Sequence, residues 1–272
     1  MIQKKTQKTL KKDTDAPEKL LLSVSSVETF TGCKAKWYYR YIEKLPAPHT
    51  YHTTAGSFIH KILEIFIKKY SKDKNLRLAG NTAFFLAKKD KELAPTLTPE
   101  IIEEGKQWLK FIVKKYEKSP ELIPNTLKVE VPFNFKIDDS LSVRGFIDRI
   151  DQIDSNTIKI VDYKTSSNPN YLSSFQLATY TIATQKKYPG KAIQASYELI
   201  RHEFASKEYN ISEKELQGVL NTFTKTASEI RHLKKTSPTE AWDPTPTRLC
   251  SYCPFRIRCE TDRTKKSPAW KV

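Results

Sequence analysis

Apolar side chains recur at helical spacing through the first part of the chain. Between residues 27 and 41 they fall on one helical face, and Ser25 with Glu28 has the spacing of a capping box at its start. The same periodicity returns over residues 54–70, where His60 lies on a neighbouring face. The N-terminal part of the chain is therefore predicted to be helical.

The pattern changes after two more predicted helices, which lie between residues 76 and 116, the second with Thr98 as its cap. The period then becomes two, which is typical of half-buried strands. Three strands are predicted, at residues 127–135, 143–151 and 158–164. The last predicted elements are a helix, a strand and a long helix, at residues 173–188, 193–201 and 212–233. This order favours an α/β fold with a mixed central sheet and helical additions before and after it.

The chain has a large excess of positive charge. Its 272 residues include 47 Lys and Arg against 31 Asp and Glu, which gives a formal net charge of +16. Such an excess is typical of proteins that bind a polyanion such as nucleic acid, and a lysine-rich solvated surface is the alternative.

Length and composition indicate a folded part of one or two domains with a basic extension. Residues 1–19 carry six lysines against three carboxylates, so we predict a disordered arm there. The length allows one large domain or two small ones, and a sizeable core can be buried either way. Because no apolar run reaches the roughly 18–20 residues of a membrane span and no secretory signal is visible, we expect a cytoplasmic protein that does not bind membranes.

Two carboxylates and a lysine are predicted to meet at the edge of the sheet. Asp162 and Lys164 are two positions apart in one strand, so their side chains emerge on the same face. Asp148 ends the preceding strand, and a short hairpin brings it beside Asp162. Magnesium and manganese prefer such oxygen ligands, and phosphoryl hydrolysis uses the metal to polarise the phosphate and acidify a water. The alternative for Asp162 and Lys164 is a surface salt bridge in an ordinary hairpin. Glu130, one strand before the site, could be an acid that supports the metal ligands or a solvated side chain.

Five motifs surround these residues in a defined order. They are S-x-S-x-V-x-x-F-x-x-C-x-x-x-W-x-Y from Ser23 to Tyr39, Gly56-x-x-x-His60, Gly145-x-x-Asp148-Arg149-Ile150, Asp162-Tyr163-Lys164-Thr165 and Gln176-x-x-x-Tyr180. In this order and spacing the chain resembles the PD-(D/E)XK nuclease superfamily and, within it, the RecB-like group that carries an iron–sulfur cluster, similar to CRISPR-adaptation and AddB-type nuclease domains. It departs from the superfamily's name in one respect, since no proline precedes Asp148.

The resemblance implies a single domain over residues 20–262 with a restriction-endonuclease-like core, followed by a tail over residues 263–272. It also assigns roles to the motif residues. It implies one or two Mg²⁺ or Mn²⁺ ions, with the ligands His60, Asp148, Asp162 and the backbone carbonyl of Tyr163. Lys164 is implied to position the attacking water. Gln176 and Tyr180, one turn apart on one helix face, are implied to orient the nucleic-acid strand.

The four cysteines form a three-plus-one pattern. Cys250, Cys253 and Cys259 have the spacing C-x2-C-x5-C, and Cys33 lies far upstream in the first predicted helix. Four thiolates can hold an iron–sulfur cluster or a structural Zn²⁺ ion, and two disulfides are a third possibility. The resemblance implies a [4Fe–4S] cluster that clasps the two ends of the chain around the core.

Together with the resemblance, the site predicts a metal-dependent DNA nuclease, an exonuclease on single-stranded or frayed DNA. The implied setting is DNA repair, recombination, or the processing of mobile elements or CRISPR spacers. A helicase, or recombination or CRISPR-adaptation proteins, are the implied partners. Two other functions stay open: an iron–sulfur or zinc DNA-binding subunit of a helicase–nuclease complex that is silent alone, and an RNA-directed nuclease.

Overall fold

The structure is a computed structural model that describes residues 17–166, 168, 170, 172–236 and 242–264. Residues 1–16 of the predicted basic arm and residues 265–272 of the predicted tail lie outside that description. Among the described residues, no helix combines the length and the apolar character that crossing a membrane requires.

Within the described residues, one mixed sheet of six strands organises the chain. The strands are β1 (Leu20–Leu22), β2 (Thr126–Asp138), β3 (Leu141–Gln152), β4 (Thr157–Lys164), β5 (Ala192–Leu199) and β6 (Ala205–Tyr209). Their order is β1-β3-β4-β5-β6, with β2 on the other edge of β3. The β1–β3 and β4–β5 pairs are parallel, and the other pairs are antiparallel. The predicted α/β class with a mixed sheet is confirmed.

The strands β1 and β4 share one edge of β3. β1 pairs with residues 141–143 of β3, and β4 pairs with residues 149–152. Between these two pairings, residues 144–148 have only β2 beside them among the described strands, and β4 from Asp162 onward pairs with β5 alone. The sheet therefore opens between β3 and β4 at the position of Asp148 and Asp162.

Eight helices surround the sheet in the described part of the chain. They are α1 (Val24–Gly32), α2 (Lys34–Tyr41), α3 (Tyr51–Asp73), α4 (Leu76–Lys88), α5 (Pro99–Lys118), α6 (Ser174–Lys187), α7 (Glu213–Thr236) and α8 (Arg256–Thr264). The side chains of Thr50 and Thr98 cap α3 and α5 by accepting hydrogen bonds from the first turn. Ser212 and Glu215 form the predicted capping box of α7.

The first predicted helix is two helices, because the backbone at Cys33 is extended. With φ −165° and ψ 112°, Cys33 ends α1 and begins α2. Its Sγ accepts a backbone hydrogen bond of 3.5 Å from the first turn of α2, so the thiol caps that helix. The capping box of α1 is formed by Ser23 and Ser26, and the prediction of Ser25 with Glu28 is wrong by two residues.

Two helical layers cover the two faces of the sheet. Ile160 and Val161, neighbours in β4, point to opposite faces and belong to different cores. On one face α6 and α7 pack with α1 and α2 around Phe223. On the other face α3, α4 and α5 pack around Phe66. Side chains from both layers can therefore reach the opening in the sheet.

Candidate active site

The opening between β3 and β4 carries the two predicted carboxylates. Asp162 is only 2% exposed, and Asp148 lies on the strand opposite. The backbone N–H of Tyr163 donates to Oδ2 of Asp148 at 2.8 Å. This hydrogen bond crosses the opening and holds the side chain of Asp148 against β4.

The helix α3 brings His60 to the same opening. Gly56, one turn before His60, lies so close to the end of β4 that a Cβ there would be 3.1 Å from Oγ1 of Thr165. Nδ1 of His60 is 3.4 Å from Oδ2 of Asp148. The imidazole meets the buried ring of Tyr163 edge-on, with 5.9 Å between the ring centroids. A small residue at position 56 thus permits the close approach that presents the imidazole to the strands.

Glu130 completes a group of three side chains of the kind that bind metals. The pairing of β2 with β3 places it opposite Asp148. Its φ of 48° is in the left-handed region, which is uncommon for a residue other than glycine. One ligand atom each of His60, Glu130 and Asp148 lie within 4.8 Å of one another. The sequence left the role of Glu130 open, because its one signal was an acidic residue on the polar face of a strand.

A second group of side chains is joined by hydrogen bonds around Gln176. Its Nε2 donates to Oδ1 of Asp162 and to the hydroxyl of Tyr180, both at 2.7 Å. Its Oε1 accepts from Nζ of Lys164 at 2.6 Å, and that Nζ also lies 2.7 Å from Oδ2 of Asp162. Asp162 thus belongs to this second group and not to the triad. The amide of Gln176 fixes the carboxylate and the ammonium relative to each other.

Burial and neighbouring charges shift the acids of the site in opposite directions. Burial, reinforced by the charge of Asp148, raises the pKa of Asp162 to about 6 against the opposing effect of Lys164. Burial acts upward on Asp148 as well, but His60 and a backbone N–H outweigh it and lower the pKa of Asp148. Burial opposes protonation of His60, and the Asp148 carboxylate outweighs it and raises the pKa of His60. Burial and Asp148 also raise the pKa of Glu130.

These side chains fit a divalent cation. Oδ2 of Asp162 is buried, and Nζ of Lys164 lies 2.7 Å from it. Burial and the charge of Asp148 nevertheless raise the pKa of Asp162, so Lys164 compensates the carboxylates of the site only in part. One imidazole with several carboxylate oxygens is a donor set that divalent ions accept. His60, Glu130 and Asp148 could hold such an ion.

Arg149 ties together the strands behind the site. Its guanidinium is buried and donates to both carboxylate oxygens of Asp151, at 3.0 and 2.9 Å. It also donates to the carboxylate of Glu198 and to the hydroxyl of Tyr163. One side chain therefore links β3, β4 and β5. Although Arg149 is part of a motif, this role was not predicted from the sequence.

The four cysteines line one pocket. Cys33, at the junction of α1 and α2, meets Cys250, Cys253 and Cys259 there. The aromatic ring of Phe255 also lines the pocket. The four cysteines form no disulfide bond with one another. The fold thus brings the upstream cysteine to the other three, in an arrangement that fits a metal centre of four thiolates.

A mixed sheet that opens over a histidine–carboxylate triad, beside a buried Asp–Lys pair, defines the class of metal-dependent phosphodiester hydrolases with a restriction-endonuclease-like core. The family model of the PD-(D/E)XK nuclease superfamily matches residues 21–260. The chain belongs to this superfamily. Its members are nucleases that use divalent metal ions, and the family predicted from the motifs is confirmed.

Two relatives are large bacterial proteins. One is a subunit of the ATP-dependent helicase/deoxyribonuclease of Streptococcus equi subsp. zooepidemicus, 28% identical over 185 residues, which cover 63% of this chain and 17% of that protein. The subunit of the same name from Lactococcus lactis subsp. cremoris is 26% identical over 227 residues, covering 72% and 20%. The chain therefore spans about a fifth of the length of these relatives.

A solved structure supports the fold. A protein of Eubacterium rectale, provisionally named an exonuclease, superimposes with a TM-score of 0.55 at 12% identity. The match covers 93% of this chain and 90% of that one. The shared architecture therefore extends over nearly the whole of both chains.

Proposed function

We propose that the chain is a metal-dependent DNA nuclease that acts as an exonuclease on single-stranded or frayed DNA. One observation carries this proposal: His60, Glu130 and Asp148 converge beside the Asp162–Lys164 pair in an opening of the sheet. Carboxylates that face a polyanion repel it unless a cation lies between them. The net charge of +16 supplies the attraction for the rest of the nucleic acid.

The metal site of the proposal comprises the predicted ligands and one addition. The proposed ligands are His60, Asp148, Asp162 and the backbone carbonyl of Tyr163, with Glu130 added because of its place in the triad. Mg²⁺ and Mn²⁺ suit such a set. When bound, the ion supplies polarisation of the scissile phosphate and acidification of a water.

Lys164 is proposed to act on the reacting groups directly. Its ammonium has three donors, and two of them are directed at Gln176 and Asp162. The third is proposed to donate to the attacking water or to a phosphate oxygen that gains charge. Gln176 and Tyr180 are proposed to position Asp162 and Lys164, in addition to the predicted contact with the strand.

Oligonucleotides labelled at either end test the proposal. With Mg²⁺ or Mn²⁺ the protein is expected to shorten single-stranded DNA from an end and to leave 5′-phosphates, and EDTA is expected to stop the reaction. Asp148→Ala or Asp162→Ala should abolish cleavage but leave binding largely intact, because affinity comes from distributed basic charge. Asp139→Ala, an exposed carboxylate in the turn between β2 and β3, is the matched control. Wild-type turnover by Asp162→Ala would refute the assignment.

Substitutions of two lysines on β4 distinguish a loss of catalysis from a loss of folding. Lys164→Ala is expected to lower the cleavage rate by about 10²–10³-fold, since it removes a donor aimed at developing charge. Lys159→Ala, on the same strand and paired with Glu208, should cleave as the wild type does. RNA of the same sequence tests the RNA-directed alternative in parallel. Tight DNA binding without cleavage under every metal condition would favour the silent subunit.

The relatives suggest a setting for this activity. They are named as subunits of an ATP-dependent helicase/deoxyribonuclease. We propose that this chain acts on DNA in repair, recombination or mobile-element processing and that a helicase is a partner. Addition of such a helicase should extend cleavage from frayed ends into duplex DNA, and equal duplex degradation without it would contradict the partnership.

The cysteine pocket is proposed to hold a [4Fe–4S] cluster, with structural Zn²⁺ as the alternative. Cys33, Cys250, Cys253 and Cys259 would provide the four thiolates. The proposed role is a clasp between the α1–α2 junction and the C-terminal residues. Protein purified without oxygen should be brown and contain about four irons per chain. Colourless protein with one zinc would refute the cluster and leave the nuclease proposal standing.

A further inference from the structure

A groove runs from the proposed site along the ribbon formed by β2 and β3. Its volume is about 770 Å³. One side is lined by residues 21–28, and the other by residues of the ribbon. Lys164, Gln176 and Tyr180 of the proposed site also line it. The groove is therefore continuous with the groups proposed to act on the phosphate.

The ribbon carries an aromatic ring and a cation in line with Asp148. Because side chains alternate along a strand, Arg144, Phe146 and Asp148 project from the same side of β3. The side chain of Phe146 is 60% exposed, and Arg144 is exposed as well. Pro132 and Asn134 lie opposite them on β2, and both are exposed. No described side chain buries the ring of Phe146, so packing does not account for it.

The spacing of these side chains suits an extended nucleic-acid strand. Residues two apart on a strand are separated by about 6.6 Å, so Phe146 and Arg144 lie about 7 and 13 Å from Asp148 along β3. These steps are comparable with the separation of successive phosphates in an extended single strand. Glu28, the acidic lining residue of the groove, interacts with Lys164, which offsets its charge.

We propose that Phe146 stacks on a base next to the scissile phosphate and that Arg144 contacts a phosphate further along the strand. The groove then selects single-stranded DNA, because the bases of a duplex are already covered on both faces by their neighbours. Stacking on an aromatic side chain is tolerant of sequence. Phe146 is thus a residue that determines the form of the substrate and not its sequence. This inference rests on the proposed nuclease function.

Equilibrium binding without cleavage tests the proposal. The protein is the full chain in EDTA, or its Asp162→Ala variant, and the probes are a single strand with one 2-aminopurine and a blunt hairpin duplex. Phe146→Ala should weaken single-strand binding by about five- to one-hundred-fold and abolish the 2-aminopurine quenching, with duplex binding unchanged. Phe146→Trp should keep both signals. Phe85→Ala is the matched control, because the ring of Phe85 on α4 is 56% exposed and lies outside the groove. Arg144→Ala should make the slope of the logarithm of the single-strand binding constant against the logarithm of the salt concentration shallower by about one.

The outcomes separate this inference from the function on which it rests. If Phe146→Ala binds single strands like Phe85→Ala, or loses single-strand and duplex binding equally, the stacking role is wrong. Melting temperatures of both variants show whether a loss of binding reflects misfolding, and Phe146→Trp decides that case because it restores only a stacking ring. Absence of cleavage by the wild type would overturn the nuclease proposal, whereas cleavage with no effect at Phe146 would overturn only this inference.

Discussion

Replacement of Arg149 by methionine removes the buried cation that links β3 to β4 and β5. Methionine fills similar space but leaves the largely buried carboxylates of Asp151 and Glu198 without this partner. Removal of one member of a buried ion pair costs about 3–5 kcal/mol, since an uncompensated charge remains in the interior. Because Thr126 still donates to Asp151 at 2.8 Å, we expect the loss to lie within this range.

Thermal and urea unfolding measure this loss. For domains of this size each kcal/mol corresponds to about 2–4 °C, so the Tm of Arg149→Met should fall by about 6–20 °C. The urea midpoint should fall while the m-value stays constant. Arg144→Met is the matched control, because the same substitution on an exposed side of the same strand should change stability by less than about 0.5 kcal/mol.

A second substitution tests whether the uncompensated buried charge causes this loss of stability. Glu198→Gln removes one of the stranded charges, so in the Arg149→Met background it should restore part of the lost stability, although alone it destabilises the protein. Two results would refute the reasoning. One is an Arg149→Met protein that melts within about 2 °C of the wild type. The other is a double variant that is less stable than Arg149→Met.

Three further perturbations probe other parts of the molecule. Gly145→Ala places a Cβ 2.6 Å from the ring of Phe133. Urea unfolding should therefore show that the free energy of unfolding falls by about 1–3 kcal/mol because of overpacking, and Phe133→Leu should restore part of it. No loss of stability would mean that the ring moves aside freely. Because the pKa of Asp162 is raised to about 6 in the metal-free fold, the native state binds more protons than the unfolded chain between roughly pH 4 and 6, and stability should fall as the pH rises through this window. Asp162→Asn should show a smaller fall and gain less Tm from added Mn²⁺, while the raised pKa of Glu130 keeps part of the fall. An unchanged pH profile would contradict the shifted pKa of Asp162. Cys33→Ser should reduce the metal content and the Tm, since metal binding energy contributes to folding. Elemental analysis and thermal unfolding measure the two effects. Full metal content would show that Cys33 is not a ligand.

The periodic elements of the fold could be predicted from the sequence because their patterns are local. The helices α3 and α5 and the strands β2 to β5 follow from apolar spacing and caps that lie within each segment. β1 has three residues, and its pairing with residues 141–143 is remote in sequence, so no local pattern marks it. The break at Cys33 was not predicted either, since the apolar face continues across it from α1 to α2.

The proposed site was predictable where residue type and spacing carry the chemistry. Asp162 and Lys164 lie on the same face because side chains alternate along a strand, so that residues two positions apart point to the same side. Glu130 reaches the triad through the register of β2 on β3 and a left-handed backbone, and neither is encoded in neighbouring residues. The hydrogen bonds of Gln176 depend likewise on how α6 packs against β4. Single-sequence reasoning therefore finds the candidate reacting groups more readily than the groups that position them.

The edge that β1 and β4 share on β3 also has a consequence for the order of folding. β1 precedes β3 by the whole of the helical layer, since Leu20 pairs with Leu141, and it has no partner in the sheet until that layer and the β2–β3 hairpin exist. Contacts so remote in sequence incur their loop-closure entropy before they contribute stability, which slows their formation. The α3–α5 layer and the hairpin are made of contacts close in sequence and can form early. The earliest described strand in the chain is therefore expected to be among the last to dock.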